Sequence, residues 1–194
     1  MRPEHRCGLS EKRNQPTGFP VSSSDTKERG VNEWYDRIIK LRALRHYQDR
    51  PLSDNDVASI VEAARWTGSS KNRQNWSFVV VRDRSQIERL AECGDFTTPV
   101  LKAPATIALV EEPHGYEFDT GRLAQNIMLA ADAIGVASCP ITLHREKKAA
   151  SVLELPKGRR CRYAVALGYA APSATPANFG GRKPVADLLH LDRY

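Results

Sequence analysis

Apolar positions along the chain follow two spacings, one typical of helices and the other of buried strands. The clearest helical spacing, i, i+3, i+4 and i+7, occurs at Val57, Ile60, Val61 and Ala64. A longer helix is predicted from about Tyr116 to Ile134, where Gly135 stands as a natural stop. Further helices are predicted from Asn32 to Leu41 and over residues 145–155.

Two predicted helix starts carry residues of the kind found in a capping box. Ser53 is followed three residues later by Asp56, and Ser85 is followed by Glu88. In this motif the first side chain accepts a hydrogen bond from a backbone N–H in the first helical turn. We therefore expect helices to begin directly after Ser53 and directly after Ser85.

Short apolar runs between these helices predict three buried strands, at residues 76–81, 106–110 and 161–169. A fourth extended segment is expected at residues 136–142. Because the strands alternate with helices of about ten residues or more, the pattern favours an α/β arrangement over an all-helical one.

Composition indicates one folded domain with an N-terminal tail. The chain has 194 residues, 41% of them hydrophobic, which is enough for one sizeable core. Residues 1–30 mix Arg, Lys, Ser, Pro and Gly without periodicity and are predicted to be a disordered basic tail. An arm that wraps a partner subunit is the alternative for this tail. Residues 31–194 are expected to form the domain.

The charge of the chain permits an anionic partner without choosing one. The net charge is +6, and no run of five like charges occurs. A nucleic acid, a membrane surface or a phosphate-bearing cofactor would each fit, as would a mildly basic solvated surface. A nucleic-acid-binding domain would need clustered Arg and Lys with interleaved aromatic residues, a pattern that the chain lacks.

The cysteines and the apolar segments indicate a cytoplasmic protein without a metal site. The four cysteines, at 7, 93, 139 and 161, include no CxxC pair and no nearby His cluster, so free thiols in a reducing compartment are expected. The N-terminus lacks the apolar core of a secretory signal. No apolar segment approaches the roughly 20 residues that span a bilayer.

Motifs for several common activities are absent. There is no GxGxxG after the first predicted strand, no GxxxxGK[ST] and no GxSxG. None of the five histidines stands in a context that marks it as a catalytic base. The sequence therefore supports neither a Rossmann site, nor a P-loop, nor a serine hydrolase, and it predicts no catalytic side chain.

Three polar or basic segments are candidates for binding chemistry. Residues 67–78, reading TGSSKNRQNWSF, lie between a predicted helix and a strand, and their amide side chains suit a planar heterocycle. Arg42 with Arg45, and Arg182 with Lys183, suit phosphate oxygens. Solvated surface pairs are the alternative for both basic segments.

Five motifs in a fixed order resemble the FMN-dependent nitroreductase family. They are RALRHY at 42–47, the helix VASIVEAARW with GSSKNRQNWSFVVV, LAQNIMLAADAIGVASCPIT at 123–142, AVALGYA at 164–170 and GRKP at 181–184. The likeness covers roughly residues 34–194. It implies an α+β fold with a central mixed, mostly antiparallel sheet, flanked by helices, in an intertwined homodimer.

The resemblance also assigns cofactor-binding positions. Arg42 and Arg45 match a basic pair that reaches the FMN phosphate or ribityl chain and the pyrimidine edge. Arg182 matches a late phosphate-binding arginine, beside which Lys183 is a weaker candidate. Asn72 would contact the flavin ring, and the segment from Pro140 would offer a backbone N–H to N5. The full set is Arg42, Ala43, Leu44, Arg45, Ser69, Ser70, Asn72, Gln74, Pro140, Ile141, Thr142, Leu143, Arg182 and Lys183.

The implied activity is that of an FMN-dependent oxidoreductase. It would take hydride from NADH or NADPH and reduce a nitro compound, a quinone or a similar small acceptor by a ping-pong mechanism. A flavin-binding storage or sensing protein without turnover is the alternative. The resemblance further implies a homodimer with FMN at the subunit interface, where parts of both chains form the pocket, and the helix at 116–134 is a candidate for the dimer core. From composition, no nucleic-acid or membrane partner is expected.

Overall fold

The computed structural model describes residues 33–178 and 180–194. Its helices are α1 (Glu33–Lys40), α2 (Asp54–Arg65), α3 (Arg84–Ala91), α4 (Thr98–Lys102), α5 (Glu117–Ala133) and α6 (Glu146–Val152). Its strands are β1 (Trp76–Val81), β2 (Ala105–Glu111), β3 (Ala137–Thr142) and β4 (Arg160–Gly168). Short 3-10 turns occupy Ser70–Asn72 and Val185–Asp187. The tail predicted over residues 1–30 lies outside the described residues.

The four strands form one open antiparallel sheet in the order β1-β2-β4-β3. β1 and β3 are therefore the two edges, and β2 and β4 are central. The central strands are the most apolar, with residues 105–110 and 164–168 fully buried. Helices cover both faces, and this arrangement confirms the expected α+β fold with a mostly antiparallel, helix-flanked sheet.

Each face of the sheet has its own hydrophobic cluster. On one face, Ile60 of α2 and Ile127 of α5 pack against alternate residues of β2 and β4. On the other, Leu90 of α3, Val100 of α4 and Ala149 of α6 pack against the intervening residues of the same strands. Residues 33–178 form one compact unit around this core, and residues 180–194 belong to a second unit.

α5 is the longest described helix, with 17 residues, and it packs against both the sheet and α2. Leu123, Ile127 and Ala131 form its buried stripe. Within the two described ranges, no helix combines the length and the apolar character that a bilayer crossing needs.

Three local predictions are wrong in their details. β1 was predicted to be buried, but it pairs only with β2 at the sheet edge, so that only Val81 of this strand is fully buried. The helix expected after Ser85 begins earlier, because the Asp83 side chain is the N-cap and accepts from Gln86 N (2.9 Å). The short helix α4 was not predicted at all.

Three of the cysteines are free, buried thiols: Cys93, Cys139 and Cys161. Burial raises the pKa of each thiol, to about 12 for Cys161. Because the thiolate is the reactive form, all three should be protected in the native state. In a Cys7→Ser variant at pH 8, we expect Ellman's reagent to react at least about 10³-fold more slowly with native than with urea-unfolded protein. A thiol that reacts rapidly before unfolding would contradict this burial.

Candidate functional site

The segment after α1 lies beside the sheet and presents Arg45 to the β3 edge. The backbone N–H of Leu44 donates to Ser138 O in β3 (3.0 Å). Tyr47 forms an isolated antiparallel bridge with Ala170, just beyond β4, and its hydroxyl donates to Leu44 O (2.9 Å). These contacts fix the backbone on both sides of Arg45.

A cleft of about 210 Å³ opens at this edge of the sheet. It is lined by Arg45, Phe96, Pro99, Cys139, Pro140, Ile141, Thr142 and His144. The exposed Arg45 guanidinium makes no hydrogen bond or ion pair with residues 33–178 or 180–194. The structure thus places the predicted Arg45, Pro140, Ile141 and Thr142 around one cationic cleft, which we call the Arg45 cleft.

The strand register determines which backbone N–H of β3 is available at the Arg45 cleft. Leu143 N donates to Arg162 O (2.7 Å), and in an antiparallel ladder the direction of the N–H alternates from residue to residue. The N–H of Ile141 therefore points toward β4, as that of Leu143 does, whereas the N–H of Thr142 points to the open edge. Pro140 has no N–H. Of the predicted segment 140–143, only Thr142 can donate from its backbone into the cleft.

The far wall of the Arg45 cleft is the turn between α3 and α4, held against the end of β3. Arg145 N donates to Cys93 O (2.8 Å). Asp95 N donates to His144 Nδ1 (3.2 Å), and the exposed Phe96 ring meets the His144 ring edge to face, with centroids 6.4 Å apart. An aromatic pair therefore stands opposite Arg45, and sequence reasoning singled out neither residue.

Gly94 allows this turn to approach β3. A Cβ at this position would lie 2.5 Å from Thr142 O and 2.6 Å from Thr97 Cγ2. A backbone oxygen cannot rotate away, so we expect Gly94→Ala to destabilise the protein by about 1–3 kcal/mol in urea unfolding. Adding Thr97→Ser removes the methyl but keeps the hydroxyl, and should restore only part of the loss. Full restoration would show that Thr142 O is not the obstacle.

Arg42 has local partners, unlike Arg45. Its Nη1 donates to Ile39 O (2.7 Å) and Leu41 O (2.8 Å), carbonyls at the C-terminal end of α1. The side chain is exposed, but this arrangement directs the guanidinium to the helix end. The neighbouring Ala43 and Leu44 are half-buried and contribute to the packing and anchoring of the segment.

The predicted ring-binding loop adopts an unusual backbone between α2 and β1. Lys71, Asn72 and Gln74 all have positive φ, at 55°, 53° and 50°. Such conformations cost roughly 1–3 kcal/mol each for residues other than glycine and cluster at binding sites. Ser69 stabilises this shape, because its Oγ accepts from Gln74 N (2.9 Å). The side chains of Ser70, Asn72 and Gln74 are exposed, and that of Ser69 is half-buried.

Helix α5 holds this loop in place through two side chains. Arg122 Nη1 donates to Gly68 O (2.6 Å), and Asn126 Nδ2 donates to Thr67 Oγ1 (2.7 Å). Sequence reasoning missed both supporting residues. Their i, i+4 spacing on one helix was the available signal, because it places them on the same helix face.

The two halves of the predicted site lie at opposite edges of the sheet. The loop leads into β1, whereas the Arg45 cleft borders β3, with two strands between them. Three interstrand spacings separate the edges by about 14 Å. Arg182 and Lys183 are exposed and belong to the second unit.

Similarity to known proteins identifies the family of this chain. The nitroreductase family model matches residues 38–95 and 97–169. The chain belongs to the nitroreductase family.

Individual known proteins are similar to this chain in sequence or in structure. A protein of Archaeoglobus fulgidus with the provisional name NADH dehydrogenase/NAD(P)H nitroreductase is 31% identical over 150 residues, which cover 72% of this chain and 86% of the relative. The oxygen-insensitive NADPH nitroreductase of Salmonella typhimurium is 27% identical and is covered over 71% of its length by 79% of this chain. An FMN-dependent nitroreductase of Clostridium difficile superposes with a TM-score of 0.72 at 22% identity, covering 81% of this chain and 98% of that one.

Proposed function

We propose that this protein is an FMN-dependent oxidoreductase that takes hydride from NADH or NADPH and reduces a nitro compound, a quinone or a similar small acceptor. The observation that carries this proposal is the Arg45 cleft. There the Thr142 N–H and the Arg45 guanidinium, which has no hydrogen-bond or ion-pair partner among the described residues, face the same space. Membership of the nitroreductase family supports it, as do the activities by which the related proteins are named. A cytoplasmic location and ping-pong kinetics are part of the proposal.

The chemistry of the residues present fits a flavin. Bound FMN would supply the hydride and electron transfer, and the protein would contribute binding, orientation and electrostatics. Arg45 places a positive charge where a planar ring would gain electrons. Thr142 N–H, on a rigid strand, offers a directional donor to a ring nitrogen. Neither residue needs to exchange a proton, in agreement with a site for which no acid or base was predicted.

The remaining predicted residues are assigned to the two ends of the cofactor. Ser69, Ser70, Asn72 and Gln74 would line the ring from the loop before β1. Arg42, Arg182 and Lys183 would bind the phosphate, and for Arg42 this requires that the guanidinium leave the carbonyls at the end of α1. Arg45 needs no such change, so we propose it as the principal cationic contact.

We further propose that the site is completed by a second copy of the chain. The loop leads into one edge strand and the Arg45 cleft borders the other, and these edges are about 14 Å apart, so one subunit does not bring the loop and the cleft together. A homodimer in which the loop of one subunit faces the Arg45 cleft of the other would do so. This arrangement accounts for the predicted residues being split between two sheet edges.

An apolar groove offers a surface for this dimer. It has a volume of about 560 Å³ and is lined from α1, α2 and α5 by Trp34, Arg37, Ile38, Ser59, Ala63, Trp66, Asn126, Leu129, Ala130, Ala133 and Ile134. Trp34 is 66% exposed and Trp66 is 73% exposed. Large aromatic side chains at such exposure mark an interaction surface, and the groove includes the helix predicted as the dimer core.

An absorption spectrum tests the proposed function. The purified protein, supplied with FMN, should show flavin bands that NADH or NADPH bleaches under anaerobic conditions and that a quinone restores. Flavin bands that neither nucleotide bleaches would favour the storage or sensing alternative. Failure to retain FMN would refute both.

A further inference from the structure

A second, larger cleft lies across α4 from the Arg45 cleft. Its volume is about 540 Å³, compared with about 210 Å³ for the Arg45 cleft. We call it the basic cleft, and it is lined by His46, Tyr47, Gln48, Asp49, Arg82, Arg84, Ile87, Leu101, Lys102, Ala103, Pro104, Ala171 and Ser173. The family resemblance assigned none of these residues a role.

The lining of the basic cleft carries excess positive charge. The lining includes three permanent cations, on Arg82, Arg84 and Lys102, and one carboxylate, that of Asp49. Lys102 Nζ lies 3.5 Å from His46 Nδ1, and neither group makes an ion pair with any residue in 33–178 or 180–194. An anion that entered the cleft would therefore meet an ammonium group without a carboxylate partner.

Within residues 33–178 and 180–194, the ion-pair partners of the two arginines are exposed carboxylates alone. Arg82 contacts Asp54, whose side chain is 92% exposed, and Arg84 contacts Glu88, which is 56% exposed. Exposed pairs of this kind contribute at most about 1 kcal/mol each, so a ligand phosphate can replace the carboxylate. Arg84 Nη1 also donates to Leu101 O at the end of α4 (2.5 Å), which holds the side chain at the cleft, and a phosphate would replace Glu88 at Nε without breaking this bond.

Apolar side chains form the rest of the basic cleft. Ile87 and Ala103 are buried in its floor, and Pro104 lies beside them half-buried. Pockets of about 300–1,000 Å³ hold small organic ligands, with a few polar groups fixing their orientation. A cationic rim over an apolar floor suits a molecule with phosphate at one end and a planar base or ring at the other.

We propose that the basic cleft binds the phosphate of a nucleotide, at a site separate from the Arg45 cleft. The nucleotide is either free in solution or the phosphate-bearing half of the hydride donor. Lys102 and Arg84 contact its phosphate oxygens, because guanidinium and ammonium groups are the side chains that bind phosphate most strongly. The phosphate site itself does not require the proposed oxidoreductase activity, whereas its occupation by the hydride donor rests on that activity.

Calorimetric titration of the full-length, FMN-supplied protein with ADP tests this site. If the proposed function is right, added FMN fills the Arg45 cleft. If no flavin is retained, the heat of ADP binding can still be measured. ADP should bind, and adenosine, which lacks phosphate, should bind at least about tenfold more weakly. Equal affinity for the two ligands, or no binding of ADP, would overturn the proposal.

Charge variants locate the binding. Lys102→Glu should weaken ADP binding at least about tenfold, and Arg84→Gln should weaken it in the same direction. The matched control is Lys147→Glu, which makes the same charge change at an exposed position on α6 and should change the affinity less than about twofold. Equal losses in Lys102→Glu and Lys147→Glu would refute a localised site.

Competition identifies the source of the phosphate. If NADH displaces ADP from the wild-type protein, the phosphate-bearing half of the hydride donor occupies the basic cleft. The heat measured with adenosine serves as the background for this displacement. If ADP stays bound at saturating NADH, the ligand is a free nucleotide. Both results uphold a phosphate site, provided that Lys102→Glu removes the ADP signal in the same experiment.

Discussion

An Arg45→Ala variant is expected to bind FMN about 10- to 150-fold more weakly than the wild type. The estimate follows from the roughly 1.5–3 kcal/mol that a hydrogen bond to a charged group contributes. Arg45 has no competing partner within the described residues, so its guanidinium has no local contact to give up when a ligand binds. Fluorescence titration of FMN into the flavin-free protein gives the affinity directly.

Arg42→Ala is the informative comparison for Arg45→Ala. Arg42 donates to two carbonyls at the end of α1, so its loss should affect the stability of that helix end as well as any phosphate contact. We expect a smaller loss of FMN affinity than for Arg45→Ala. An Arg45→Ala variant with wild-type affinity, or one weaker only to the same extent as Arg42→Ala, would contradict the proposed central role of Arg45.

Ala133→Glu is expected to convert the protein to a monomer and to abolish FMN retention. Ala133 lines the apolar groove and is exposed in the subunit, so a glutamate there leaves the core of the subunit intact. In a dimer the same carboxylate would be buried beside Arg37, which already pairs with Glu33 and Asp132, and burial of an uncompensated charge costs several kcal/mol. Light scattering during size-exclusion chromatography measures the mass, and the absorption spectrum of the same peak measures the flavin.

Two further variants sharpen this test. Ile38→Glu alters the opposite wall of the groove, from α1, and should give the same result. Gln125→Glu adds the same charge on α5 at an exposed residue that does not line the groove, and it should leave the dimer and the flavin unchanged. A wild-type protein that is monomeric and still holds FMN would refute the shared site.

Local sequence patterns predict a helix start well where a single residue can serve as the N-cap, and less well where two neighbouring residues can. Ser53 is the N-cap that its pattern indicated, and it accepts from Asp56 N (3.0 Å). The same pattern at Ser85 failed, because Asp83 lies two residues earlier and its carboxylate binds the free N–H groups. α4 has only five residues, too few for a helical period to show.

The site residues, and the sharing of the site between two subunits, rest on the family resemblance and remain predictions. The loop residues and Arg45 could be named from the family resemblance. Strand order, however, places them at opposite sheet edges, and no local pattern encodes strand order. Thr142 is the available donor because Leu143 pairs with Arg162. A shift of the strand register by one residue would turn the Thr142 N–H toward β4 and leave its neighbours pointing to the open edge.

The hydrogen bonds from α5 to the loop before β1 have a consequence for how flavin retention depends on the protein concentration. Asn126 both lines the apolar groove and donates to Thr67, at the start of the loop. In the proposed dimer, assembly and cofactor affinity share this structural element, and thermodynamic linkage makes their effects reciprocal. Dilution that separates the subunits should release flavin, and added FMN should lower the concentration at which the subunits associate.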